Sequence, residues 1–228
     1  MKYILRIGAS VVAMLVAGAV LLGSWFYTTI PEPPSPPPNL VEEDSTVEFP
    51  AVRNELLRMR WVDQTVRKQA TDSLFAGKTD ATVDLLGALR YFYLENRVDK
   101  KNTARLEELV ARYGWPDEGR VGAEGAEAAF LIAQHADHDV AFQRMALDSI
   151  RQAYGRDQAT GQQVALLTDR VRVAESNPQL YGTQAQVRDG EVIFHPIRDS
   201  SNVDQRRAKV GLPPLSTYVE KMKAELER

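Results

Sequence analysis

Cysteine is absent from the 228 residues. That absence excludes disulfides, thiolate metal sites, cysteine nucleophiles and a lipoprotein attachment site. It leaves the redox compartment undecided, because an oxidising compartment permits disulfides without requiring them. Histidine is scarce, with only His135, His138 and His195. There is no Gly-rich phosphate loop, no serine in a nucleophile elbow and no HExxH, so the common motif-bearing enzyme classes lack their usual warrant. A basic stripe is also missing: beyond residue 30 there are 26 basic against 31 acidic side chains, a net of about −5. Phosphate-backbone binding needs clustered cations that displace condensed counterions, so nucleic acid is not an expected partner.

Charge is missing in a second, more local way. From Ile7 to Tyr27 there are 21 residues without one Asp, Glu, Lys or Arg, reading IGASVVAMLVAGAVLLGSWFY. As a helix this run is roughly 31 Å long at 1.5 Å per residue, close to the ~30 Å hydrocarbon core of a bilayer. Lys2 and Arg6 precede it, and the first charges after it are acidic: Glu32, Glu42, Glu43 and Asp44. The positive-inside bias then predicts a cytoplasmic N-terminus, a single-pass signal anchor within residues 1–30, and an extracytoplasmic, periplasmic-facing remainder. The expected partner of residues 7–27 is therefore the lipid bilayer. The alternative is a cleaved signal peptide with its site at Ala17-Gly18-Ala19, which would leave an apolar mature terminus.

Pro31-Glu32-Pro33-Pro34-Ser35-Pro36-Pro37-Pro38 places six prolines in eight positions. Proline fixes φ and removes the amide donor, so this stretch is expected to form an extended polyproline II stalk, followed by the acidic linker to residue 49. At about 3.1 Å per residue it spans roughly 25 Å. A proline-rich ligand for another protein is the alternative reading.

From Pro50 to the end the chain reads as one mostly α domain of an orthogonal, multi-helix type with one small β-hairpin. Apolar residues at three- and four-residue steps (Val52, Leu56, Met59, Val66, Ala70) predict a first helix of about seven turns. A second helix is expected from Thr79 to Val98, a third through Leu106 and Leu109 to a stop at Gly114, and a buried one over Ala123 to Ala136. Asp137 or Asp139 is placed to cap the next, which ends near Tyr154. Another helix is expected over Gln158 to Ala174. Thr183 to Val187 and Glu191 to His195 around Asp189-Gly190 read as a hairpin. Two short helices follow, Val203 to Val210 and Leu215 to Leu226, parted by Gly211-Leu212-Pro213-Pro214.

A series of short blocks falls in one order: Asn102-Thr103 with Arg105-Leu106, Tyr113-Gly114-Trp115-Pro116, Gln134-His135-Ala136-Asp137, Thr168-Asp169-Arg170-Val171, Gln179-Leu180-Tyr181-Gly182-Thr183-Gln184, Val203-Asp204-Gln205-Arg206-Arg207 and Gly211-Leu212-Pro213-Pro214-Leu215. Together they resemble the signature of a mostly helical bacterial family of unknown function, over residues 52 to 226. The resemblance implies a domain boundary and a set of positions, and no reaction or cofactor.

Those positions sort into candidate sites. In Gln134-His135-Ala136-Asp137-His138-Asp139, the two histidines at i and i+3 with Asp139 offer imidazole and carboxylate ligands. Helical metal-dependent phosphohydrolases use such a His-Asp pair, but they also need an upstream histidine that this chain lacks, and no metal is assigned. The structural alternative makes Asp137 and Asp139 helix caps and His135 a hydrogen-bonded histidine. The second candidate joins Asp169 and Arg170 to Gln179, Tyr181, Thr183 and Gln184. If the helices bearing His135 and Asp169 are neighbours, a His-Asp pair becomes a general base with Arg170 or Tyr181 holding an anionic or carbonyl group. In that reading His135, Asp169 and Arg170 are catalytic and Gln134, Asp137, Gln179, Tyr181, Thr183 and Gln184 bind ligand. The alternative is a buried polar network in which Asp169 pairs with Arg170. Asp204 with Arg206 and Arg207 is read as an acid-binding fork or, more often, a salt bridge, and Trp61 and Trp115 as core. Two function classes remain: a membrane-tethered module that binds a protein or small molecule, and an extracytoplasmic hydrolase centred on His135 and Asp169.

Overall fold

The computed structural model describes residues 27–41, 44–75, 85–188 and 191–226. All but Tyr27 of the expected membrane span therefore lies outside the described residues, as does the Asp189-Gly190 turn. The described chain is mostly helical: α1 (Pro50–Phe75), α2 (Leu85–Tyr113), α3 (Glu118–Gln134), α4 (Val140–Tyr154), α5 (Gly161–Ala174), then β1 (Ala185–Arg188) and β2 (Glu191–Phe194), α6 (Val203–Lys209) and α7 (Leu215–Leu226). The strands form a two-stranded antiparallel sheet with Ala185 opposite Phe194 and Val187 opposite Val192. No helix among the described residues is long and apolar enough to cross a membrane.

Two expectations need correction. The second and third predicted helices are one continuous helix, α2, which runs through Asp99-Lys100-Lys101-Asn102-Thr103. That polar stretch reads as a break because Asn and Thr are weak helix formers, yet Asn102 and Thr103 are buried, and packing overrides so weak a preference. The helix expected from Ala123 begins earlier, at Glu118, and kinks at Gly122, whose φ of 71° only glycine adopts at little cost.

The chain divides into two compact units, residues 1–35 with 62–98 and residues 36–61 with 99–228. In the first, Ile30, Val66, Leu94 and Val98 form a small core with Val62 and Tyr91 against it. Arg67 pairs with Asp63 at 3.1 Å and Glu95 at 3.7 Å, and Arg97 lies 3.9 Å from Glu32 at the head of the proline-rich segment. That segment has no regular secondary structure from residue 31 to 37 and starts from the buried Ile30.

The larger core of the second unit gathers Leu56, Leu106, Val121, Ile132, Phe142, Ile150 and Leu167, with Trp115 packed at its edge. Small residues Ala128, Ala129 and Ala133 on α3 and Ala146 on α4 let these helices approach closely. α4 packs along α5, and α3 contacts both. α5 starts in a capping box: the Gln163 N–H donates to Thr160 Oγ1 at 3.1 Å and the Thr160 N–H to Gln163 Oε1 at 2.9 Å. Its first residue, Gly161, sits under the end of α6, where a Cβ would fall 2.3 Å from the Val210 carbonyl oxygen. This contact fixes α6 over the start of α5, and so sets the frame for the loop between them.

Candidate polar site

α5 buries eight of its fourteen residues, and Asp169 in its third turn is fully enclosed, with 0% of its surface exposed. A buried carboxylate is tolerated only when its oxygens are hydrogen-bonded. Four donors meet it. The N–H groups of Leu180 (2.6 Å) and Tyr181 (3.1 Å) point to Oδ1, and Tyr181 is also 3.1 Å from Oδ2. The Thr183 N–H and hydroxyl reach Oδ2 at 3.0 and 3.1 Å. Successive backbone N–H groups converge on one anion only in a tightly curled chain. Gly182 supplies that curl with a φ of 65°, in space closed by Ile197 and Leu215.

The carbonyls of the same loop are held from the other side by α6. Arg206 Nε donates to the Leu180 carbonyl at 2.7 Å, and its Nη2 to the Asp199 carbonyl at 3.0 Å. Arg207, 2% exposed, donates through Nη1 to the Tyr181 carbonyl and through Nε to the Pro213 carbonyl, each at 2.6 Å. Its guanidinium also lies 5.4 Å from the Tyr218 ring. Burial lowers the Arg207 pKa, opposed by Asp204, Tyr218 and Asp169. Gln179 is fully buried too. Its amide donates to the Gln184 and His195 carbonyls at 3.0 and 2.8 Å and accepts from the Gln184 N–H at 2.9 Å, which ties the loop to the hairpin. Asp204 accepts from the Leu215 N–H at 2.8 Å, so it starts α7.

The expected nine-residue constellation thus divides. Asp169, Gln179, Tyr181, Thr183 and Gln184 come together, but Tyr181 contributes backbone groups, and burial first and Asp169 second raise its phenol pKa. Gln134, His135, Asp137 and Arg170 form a second cluster. Arg170 does not pair with its neighbour Asp169; it forks onto Asp137, Nε to Oδ1 at 2.6 Å and Nη2 to Oδ2 at 2.7 Å. Gln143, unremarked in the sequence, is the link: its amide donates to Asp137 Oδ1 and to the Gln134 carbonyl, both at 3.1 Å, which satisfies a carbonyl at the end of α3. His135 is the residue that ends α3, with its N–H on the Leu131 carbonyl at 3.0 Å. Burial pushes the Asp137 carboxyl up, but Arg170, Gln143 and His135 together hold it below its ordinary value. Asp139 caps α4 through the Phe142 N–H at 2.9 Å, and His138 is exposed.

A separate concavity of about 260 Å³ lies between α1 and α2 within the second unit, with Val52 and Leu109 in its lining. Glu55, Arg105, Glu108 and Arg112 also line it. Arg105 spans two carboxylates, with Glu55 at 2.6 and 3.0 Å and Glu108 at 2.5 Å, and these bonds raise its pKa. Sequence reasoning missed this groove. The Arg105 and Glu108 spacing was legible as a helical pair, but Glu55 is 50 residues away on another helix.

The comparisons place this geometry in a family without supplying chemistry. The model of a family of unknown function (DUF6624) matches residues 50–226. No curated protein and no solved structure matches the chain.

Proposed function

The chain belongs to that family of unknown function, and from this premise we propose that it is a membrane-tethered, extracytoplasmic binding module. In this reading residues 1–30 are the anchor, residues 31–49 lead from it, and residues 50–228 are the binding domain, of bacterial origin and orthogonal helical type. The blocks around Asp137, Asp169, Gln179, Arg207 and Pro213 supply the residues of its polar framework. One observation carries the binding reading over the catalytic one. Asp169, the residue best placed in the sequence to back a general base, has its two oxygens engaged by four donors of one loop in a sealed position. A carboxylate so used organises backbone and has no spare lone pair aimed at a substrate.

Nothing in the geometry or the comparisons favours the alternative of an extracytoplasmic hydrolase around His135, Asp169, Arg170 and Tyr181. The surfaces open to a partner protein or small molecule lie elsewhere, and the groove carrying Glu55, Arg105, Glu108 and Arg112 suits a ligand with both charged and apolar parts. The address is tested by fusing alkaline phosphatase or a cytoplasm-only fluorescent reporter to the C-terminus of the full chain. Phosphatase activity without fluorescence is expected, and fluorescence without phosphatase activity contradicts the exported topology.

A further inference from the structure

In the unit formed by residues 1–35 and 62–98, α2 is two-faced. Leu94 and Val98 are buried beside Ile30 and Val66, whereas Leu89, Phe92 and Tyr93 are 48, 67 and 37% exposed. Their spacing of i, i+3 and i+4 puts those three on one side of the helix. Tyr27, 60% exposed, joins them: its ring meets that of Tyr93 edge-on, with centroids 5.4 Å apart and planes at 73°. Four large side chains thus make a continuous apolar surface, and such a surface marks a place where something other than water is met.

The sequence says what that is. Tyr27 is the last residue of the charge-free run that begins at Ile7. Three residues later Ile30 is buried in the same small core that holds α2. A chain advances at most about 3.6 Å per residue, so the end of the run and this core are within roughly 11 Å along the backbone. Where the apolar run ends, the helix face that carries Phe92 begins. Tyrosine at this level presents an apolar ring to acyl chains and a hydroxyl to the headgroups.

We propose that Tyr27, Leu89, Phe92 and Tyr93 form a lipid-contacting seat, by which this unit rests in the headgroup boundary of the bilayer that holds the chain's own anchor. The proposal rests on the membrane-tethered reading and adds to it a second, non-spanning contact with lipid. It makes the segment after the anchor a fixed mount for residues 62–98.

The absence of cysteine makes the test direct, because Phe92→Cys creates a unique thiol. The full chain carrying a bimane label at that position is reconstituted into phosphatidylcholine and phosphatidylglycerol vesicles and floated on a density gradient. In the floated fraction the label is quenched by lipids spin-labelled near the headgroup or by aqueous iodide. Strong quenching by the lipid and several-fold protection from iodide is the expected result, repeated with Leu89→Cys. Quenching by iodide and not by lipid overturns the seat while leaving the anchor intact. Shielding from both quenchers also overturns it, and points to a second copy covering the patch. A chain that does not float at all sinks the tethered reading itself, and the seat with it.

Discussion

Asp169 Oδ2 accepts both the N–H and the hydroxyl of Thr183, at 3.0 and 3.1 Å, across 14 residues of chain. This pair of hydrogen bonds to one oxygen locks the turn at Gly182 against α5. Removing the carboxylate leaves buried N–H groups without partners, a loss on the order of 3–5 kcal/mol. Asp169→Ala is expected to lower stability by about that amount. Asp169→Asn is also expected to be destabilised, because its amide presents N–H groups where the loop presents donors. Urea unfolding of the detergent-purified full chain measures both, and a change within error for Asp169→Ala would count against the clasp.

Arg207 holds the opposite side of that loop through the Tyr181 and Pro213 carbonyls. Arg207→Met keeps the apolar stem and removes the donors, so it is expected to cost about 2–4 kcal/mol. Arg207→Lys recovers only part of this, because a single ammonium cannot reproduce the planar fork. Thermal unfolding that ranks lysine equal to arginine would contradict the geometry.

Gly161→Ala sets a methyl group 2.3 Å from the Val210 carbonyl oxygen, a contact that can be relieved only by shifting backbone. The expected loss is about 1–3 kcal/mol, with the link between α5 and α6 loosened. Faster amide exchange at the Leu212 N–H, which bonds the Arg207 carbonyl at 2.9 Å, is the local signature. Unchanged exchange there, in a folded variant, is the result that goes against it.

The Asp137 and Arg170 pair makes stability depend on acid. The folded-state pKa of Asp137 is lowered, so its contribution is present above the unfolded value near 3.9 and is lost as pH falls through the lower folded value. The Asp137 side chain is 62% exposed, and solvent screening limits the effect to about 1 kcal/mol or less. Asp137→Asn is therefore expected to be slightly less stable than the parent at pH 7, with the difference closing below about pH 3. A gap that widens on acidification reverses the sign and contradicts the pairing.

Helical periodicity, the Asp139 cap, the hairpin and both short C-terminal helices were legible because each is written in local spacing or turn chemistry. The continuity of α2 was not. Asn102 and Thr103 look like a break locally, yet both are buried inside one continuous helix. Most of the polar residues of the two networks were singled out, but not Gln143, and neither their division into two clusters nor their pairing was legible. Nothing in the spacing tells that Asp169 and Arg170, adjacent in sequence, turn to different partners, that Arg207 holds carbonyls in place of carboxylates, or that Arg206 holds carbonyls beside a long ion pair to Asp199 at 3.9 Å. Those choices depend on the path of residues 176–184, which begins with Ser176 at a φ of 59° and turns again at Gly182.

Hydrogen exchange at the Leu180, Tyr181 and Thr183 amides, in the full chain and in Asp169→Asn, tests the central claim most directly. In the parent these amides are expected to exchange as slowly as the core of α5, and in the variant to lose that protection while α5 itself stays folded. Rapid exchange in the parent, or equal protection in both proteins, would show Asp169 free of the loop and reopen it as a group available for chemistry.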